Sequence, residues 1–512
     1  MNRRSLSSLG GGAAIAATLL LGGCDGLPFV IRILNGGADA PVLRVHSTVQ
    51  YPDVRRPWIK KAPYNREGLG TVLDGGRILV TADMAAHTTC IDLETPDKKM
   101  RSTASVEAVD EECNLAILRA SGPSAGEILR SRRPLPIEGS LPAGSSLKIL
   151  QLEGNGTPAL STATISTAAV YPYPSGSSYL LYRAITTIPQ RDGSYVIPAL
   201  HGGKLAGLVM RYDPRTQAAD IIPSPLIERF LKESSRPGFN GLARAGILWA
   251  PLRGKTLREW FGLTKEQGGV AIAPERNGAA MKAGLIKGDV ILTFAGHPID
   301  AEGNYEDPVF GKTSFGNLVS MGASPGDRIE VGYFRPDGKG HGSAGSTILT
   351  LDAKNPDTEI SPSLIGDSIP YRFFGGLLLE ELSRPYLREW GNNWMSEAPQ
   401  NLVALDAFQD EEKGDRKRYV ILAGILPSEQ TLGSDKMSNH LVERINNLPI
   451  RGLADVVEAR KHPVNGYHRI DLEGSLGPIF LEASSLDAEE LRLKSSYGIP
   501  SKDIPESPSP PE

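Results

Sequence analysis

Apolar positions along this chain alternate in short runs far more often than they recur every three or four residues, which favours strands over helices. Residues 68–81 (GLGTVLDGGRILVT) place two apolar runs about an Asp-Gly-Gly turn, a β-hairpin signature. VEAV at 106–109 alternates, LAIL at 115–118 reads as a buried strand, LKIL at 147–150 follows Ala143-Gly144, and LAGLVM at 205–210 follows a His-Gly-Gly turn. Helical spacing is scarce before residue 223, so an antiparallel β-barrel domain of about 170 residues is expected over 63–235. A helix is predicted at 223–232, with Ser224 as its cap and Ile227, Phe230 and Leu231 on one face. A Gly- and Pro-containing stretch then reads as a linker to about residue 243, and from 246 the pattern becomes strand, strand, short helix, strand.

The first residues follow a different logic. Asn2-Arg3-Arg4 is a short basic region and 9–23 is an apolar run of small residues. That run is shorter than the roughly 20 residues of a spanning helix, which favours export over a transmembrane anchor. It ends in LGGC at 21–24, which resembles a bacterial lipobox, so a signal peptide over 1–23 and a lipidated Cys24 are expected. The alternatives are an ordinary signal peptide or an incidental cysteine. Asp25 resembles an inner-membrane retention signal. The expected location is therefore the bacterial cell envelope, facing the periplasm, with the inner membrane favoured over the outer.

Composition narrows the field further. A chain of 512 residues exceeds one core and suggests three or so globular units. Net charge is −4 with no long Lys/Arg block, which argues against nucleic acid as a partner. The eight His and three Cys show no metal-ligand spacing, and no glycine-rich loop opens a helix after a strand, so neither metal nor cofactor is expected. With Cys24 lipidated, Cys90 and Cys113 could pair in an oxidising compartment or stand as two buried thiols; both readings stay open.

Three segments carry a family resemblance. The strand pair 68–81, the segment 110–119 (DEECNLAILR) and the stretch 185–208 resemble the parts of HtrA/Deg serine proteases that hold the catalytic His, Asp and Ser. The family's Thr-x-x-His falls on Thr81-Ala82-Asp83-Met84, its Asp on Asn114, and its nucleophile on Ser194 within 192–196 (DGSYV). A serine hydroxyl is a weak nucleophile until a base takes its proton, and a thioether cannot act as that base. Asn114 cannot stabilise an imidazolium, Asp192 would repel an oxyanion, and Tyr195 and Val196 stand where the family has glycines. His87 and His201 are the candidates for a substitute base, and each reads more simply as a surface histidine.

Residues 277–291 (NGAAMKAGLIKGDVI) and 294–299 (FAGHPI) resemble the PDZ signature of bacterial HtrA proteins. The resemblance implies peptide binding by strand addition at Ala245, Gly246, Ile247 and Leu248, with a protein or peptide C-terminus as ligand. An apolar strand start with no ligand is the competing reading. FGGLLLEEL at 374–382, PYL at 385–387, YVILAGILP at 419–427, VERINNLPI at 442–450 and YGIP at 497–500 resemble the second PDZ-like domain of larger Deg proteases. The expected fold is thus mainly β, a trypsin-like double β-barrel followed by two PDZ-like α+β domains. Its expected units are a signal peptide 1–23, a tether 24–62, a degenerate protease domain 63–235, a PDZ domain 244–353, a second PDZ-like domain 361–505 and a disordered tail 506–512. The expected function is that of a membrane-tethered pseudoprotease scaffold in envelope protein quality control, alone as a homo-oligomer or joined to active relatives. The alternatives are an active serine endopeptidase using Ser194 with a non-standard base, and a purely structural envelope protein.

Overall fold

The computed structural model describes residues 40–130, 132–189, 196–264, 267–353, 359–364, 366–411 and 414–503. The fold is mainly β. A first closed barrel holds β1 (Val42–Val49), β2 (Tyr64–Val72), β3 (Arg77–Val80), β4 (Thr88–Glu94), β5 (Arg101–Asp110) and β6 (Leu115–Ser121). A second holds β7 (Ser146–Leu152), β8 (Pro158–Pro172), β9 (Ser178–Thr186), β10 (Ile197–His201), β11 (Lys204–Asp213) and β12 (Ala218–Pro223). The strand orders are β1-β2-β3-β6-β5-β4 and β10-β11-β12-β9-β8-β7. Every pairing along both barrels is antiparallel, as the alternating runs and tight turns anticipate.

The first barrel begins earlier than its expected start at 63. Strand β1 lies inside the segment 24–62 that reads from sequence as a tether, yet it pairs with both β2 and β4 and closes the barrel. Its polar residues disguise it: within VLRVHSTV, the Arg44 guanidinium donates to the Glu153 carbonyl at 2.7 Å and His46 meets Glu94 at 3.3 Å. The Ser47 hydroxyl donates to the Met84 carbonyl at 2.6 Å. Those partners lie 37 to 109 residues away, so no local pattern announces that the polar groups are satisfied.

One apolar core runs from the first barrel (Val45, Ile78, Leu118) through the facing side of the second (Leu150, Leu208, Ile222) to helix α1 (Ser224–Ser234), which seats Phe230 in it. The helix cap departs from expectation. Pro223 occupies the cap position, and the Ser224 hydroxyl donates to the Gly139 carbonyl at 3.1 Å instead.

Helix α1 also docks the third unit. Its Arg229 and Glu233 are buried and pair at 3.2 Å, while Ser324 of the third unit donates to Glu233 at 3.0 Å and accepts from Arg229 at 2.9 Å. That unit is a sheet in the order β13 (Ile247–Pro251), β14 (Val270–Pro274), β15 (Val290–Phe294), β19 (Arg328–Pro336), β20 (Gly342–Thr350), with β16 (His297–Pro298) beside β15. Residues 304–314 form a hairpin of β17 (Asn304–Asp307) and β18 (Gly311–Ser314), whose turn residue Phe310 packs against Tyr182 of the second barrel. Helix α2 (Gly316–Gly322) follows it. The turn at Gly288 and Asp289 is anchored by Asp289, fully buried, which accepts two hydrogen bonds from Arg335 at 2.7 Å each.

The fourth unit repeats that strand sequence as β22 (Leu377–Glu381), β23 (Val420–Ile425), β24 (His440–Ile445), β26 (Tyr467–Leu472) and β27 (Ile479–Glu482). The short β25 (Leu448–Pro449) flanks β24, and helix α3 (Leu453–Ala459) takes the place of α2. A further strand, β21 (Tyr371–Phe374), is added before β22.

The segment 50–62 leaves the first barrel and straps this fourth unit. Val54 enters its core, Trp58 packs on Tyr371 with ring centres 5.9 Å apart, Arg55 lies 4.5 Å over Trp390, and Lys61 pairs with Glu389 at 2.5 Å. Beneath the strap sits Glu380, almost wholly buried, whose Oε1 has no hydrogen-bond partner among the described residues. Burial, reinforced by the Asp53 carboxylate, holds its pKa well above the ordinary glutamate value. A carboxyl with a raised folded-state pKa binds more protons folded than unfolded, so its penalty grows as pH rises above the unfolded value. Glu380→Gln should therefore stabilise the protein at neutral pH, by about 1–3 kcal/mol. The gain should vanish as pH falls below the ordinary glutamate range, which urea denaturation at a series of pH values will read.

Candidate active site and peptide groove

Thr81 leads into a single 3-10 turn, Ala82–Met84, between β3 and β4. The Met84 side chain is 0% exposed and belongs to the core shared by the barrels, so the position of the expected general base holds an apolar group in a dry environment. Asp83 is held by Arg66 at 3.2 Å and by the Thr81 hydroxyl. Asn114, buried in the turn between β5 and β6, has φ 54 and accepts the Asp83 N–H on its Oδ1 at 3.4 Å. An asparagine tolerates this left-handed backbone better than most residues. The residue thus holds the turn in place without holding an imidazole.

The nucleophile position, Ser194, lies outside the described residues, as do Asp192 and Tyr195. Description resumes at Val196, whose φ is 55. A β-branched residue in this region is strained by about 1–3 kcal/mol, a cost that a glycine escapes. The backbone here adopts a conformation suited to glycine.

Both candidate substitute bases meet a carboxylate through Nδ1. His87 Nδ1 meets Asp367 at 3.0 Å, and its ring lies 4.6 Å from that of Tyr51. His201 Nδ1 meets Glu138 at 3.0 Å, beside Lys204 at 3.5 Å. Cys90 and Cys113 are both free thiols; Cys90 is exposed, and burial raises the pKa of the Cys113 thiol well above its ordinary value. Asp110 escaped notice in the sequence. Its Oδ1 accepts the N–H groups of Glu112 at 2.9 Å and Cys113 at 3.3 Å, shaping the turn that carries Asn114. An Asp at the head of a polar turn is the signal that could have found it.

In the third unit, β13 is the end strand of its sheet, paired on one side with β14 alone. A cavity of about 530 Å³ lies where β13 and α2, with the residue before it, meet the turn between β8 and β9 of the second barrel, Glu112 of the first and Arg384 and Asp410 of the fourth unit. Gly246, Ile247, Leu248 and Trp249 line the strand side, and Phe315 and Val319 the helix side. Ala245 and Gly246 form the loop before the strand; their carbonyls accept N–H groups from Ala280 at 3.1 Å and Glu275 at 2.9 Å. Gly246 has φ 65, and a Cβ there would fall 3.0 Å from the Gly278 Cα, so glycine is required both conformationally and sterically. Leu248, at 47% exposed, and Trp249, at 39%, present apolar surface to solvent along an open strand edge.

The fourth unit fills the corresponding place itself. Strand β21 pairs antiparallel with β22 through a two-residue turn, Gly375 and Gly376, with φ of 59 and 102. It packs against α3, so the space between strand and helix that is open in the third unit is occupied by the chain's own backbone.

Comparison with known proteins agrees with this architecture. A family profile described as PDZ domain matches residues 362–506. Protease Do-like 2, chloroplastic, of Arabidopsis thaliana is 25% identical over 478 residues, covering 90% of this chain and 74% of that protein. Putative protease Do-like 3, mitochondrial, from the same plant is 23% identical over 465 residues, covering 90% and 78%. Among solved structures, an HtrA-type protease, AlgW, with a decapeptide superposes with a TM-score of 0.47 at 16% identity, over 63% of this chain and 98% of that one.

The burial of Met84 has a measurable consequence. Met84→His places a polar ring in a dry core and should cost about 1–3 kcal/mol in urea denaturation. Adding Asn114→Asp should leave the protein unlabelled by an activated-serine fluorophosphonate probe.

Proposed function

We propose that this chain, which belongs to the HtrA/Deg family of Do-like proteases, is a pseudoprotease that acts as a membrane-tethered, peptide-binding scaffold in envelope protein quality control. The observation that carries this reading is Met84, sealed in the apolar core at the position where the family's base would stand. Proton transfer needs a basic atom within hydrogen-bond reach of the nucleophile. A buried thioether supplies none, and Asn114 offers a carboxamide, which is not basic and whose Oδ1 accepts the Asp83 N–H.

Binding then rests on the third unit. An open strand edge facing a helix across a cavity of mixed polar and apolar lining suits an extended peptide, which adds a strand to β13 and places alternate side chains against Phe315 and Val319. The AlgW relative carries a decapeptide in its structure, which accords with a peptide ligand here. The tether is a lipid at Cys24, placing the protein at the bacterial envelope with its folded part in the periplasm and the inner membrane favoured. It works as a homo-oligomer or in assembly with active relatives.

Two experiments test the reading. Incubation of the protein and of a Ser194→Ala variant with an unfolded protein substrate and the fluorophosphonate probe should give neither cleavage nor labelling. Cleavage that disappears in the variant would show a working nucleophile and sink the pseudoprotease reading. Trp249→Ala should weaken the binding of an extended apolar peptide by about tenfold in fluorescence anisotropy, since it removes an aromatic wall of the groove. Binding that is unaffected would move the peptide site elsewhere.

A further inference from the structure

The groove of the third unit opens onto a concentration of acid at the end where β13 begins. Arg244, two residues before Gly246, has Glu275 at 3.2 Å, Glu112 at 3.5 Å and Glu359 at 3.7 Å. The three carboxylates come from three parts of the molecule: the loop after β14, the turn between β5 and β6, and the segment that leads to the fourth unit. Asp410 of the fourth unit closes the wall, accepting the Arg276 N–H at 3.2 Å. Among the side chains lining the cavity, Glu112, Glu275, Glu359 and Asp410 face Arg244, Arg276 and Arg384, four anions against three cations. Arg384 is drawn away further, to Asp406 at 3.2 Å.

This arrangement bears on what end of a peptide can sit there. In strand addition a C-terminal carboxylate is held by backbone N–H groups of the loop before the strand, here Ala245 and Gly246. An arginine close to that loop could assist, but Arg244 already faces three carboxylates. A free carboxylate would enter as a further anion among carboxylates in a half-buried site, where like charges are poorly screened. The raised pKa of Glu275 agrees: burial drives it up, and the neighbouring Asp410, Glu359 and Glu112 work against the attraction of Arg244. An ammonium or guanidinium would relieve the imbalance.

Resting on the reading of β13 and α2 as a peptide site, we infer that this groove selects an extended apolar segment that presents a lysine or arginine side chain to Glu112, Glu275 and Glu359, and disfavours one that ends there in a free carboxylate. Charge complementarity of this kind sets specificity more than raw affinity, since apolar contacts with Ile247, Trp249 and Phe315 would be common to both ligands.

The test uses two fluorescein-labelled decapeptides with one alternating apolar sequence, the first ending in valine with a free carboxylate and the second in lysine amide. Each is titrated with the full-length protein and followed by anisotropy at low and high salt. The lysine amide should bind about tenfold tighter, with the preference shrinking at high salt. Glu275→Gln, and independently Glu359→Gln, should each erode the preference by several fold. The second variant keeps the test intact if the first fails to fold. Equal or tighter binding of the carboxylate peptide would overturn the inference and leave the strand-addition reading standing. A lysine preference that survives both substitutions would overturn the assignment of these carboxylates. Failure of both peptides to bind would overturn the inference together with the reading beneath it.

Discussion

The dry core shared by the two barrels is the constraint on which the rest of this molecule depends. It joins inward residues of both barrels and the buried face of α1 in one apolar mass, so neither barrel can shift without opening a void in the other. Through Arg229 and Glu233 the same helix fixes the third unit, and through the strap 50–62 the first barrel holds the fourth. The turn Ala82–Met84 is drawn into this mass by Met84.

The turns around that position hold strained backbone conformations. Asn114 retains a left-handed backbone and ties it to the Asp83 N–H, and Val196 holds a conformation that suits glycine. Strain of this kind persists where the surroundings over-determine it. Here the determinants are the barrel strands on either side, which the turns must join.

Much of the architecture was legible because it rests on local signals. The hairpin about Asp74 and Gly75, the His-Gly-Gly turn before β11 and the Gly-Asp turn at Asp289 each follow from turn chemistry. What escaped depends on distant partners. Strand β1 reads as a tether because its polar groups are satisfied by Glu153, Glu94 and Met84, far along the chain. The crowding about Arg244 gathers Glu112, Glu275 and Glu359 from three units, and no spacing in the sequence brings them together. The loop and strand residues 245–248 could be placed from motif alone, but the closure of the matching edge in the fourth unit by β21 is a property of pairing, which one-dimensional pattern does not encode.

That closure sets a stoichiometry. Strand β21 is joined to β22 by only two residues, so it competes for its place as an intramolecular partner, at an effective concentration of about millimolar or above. A free peptide at micromolar levels meets an edge already saturated. Among the described residues the corresponding edge is thus open in one related unit and taken in the other, so an assembly of such chains would present one open β13 edge per subunit.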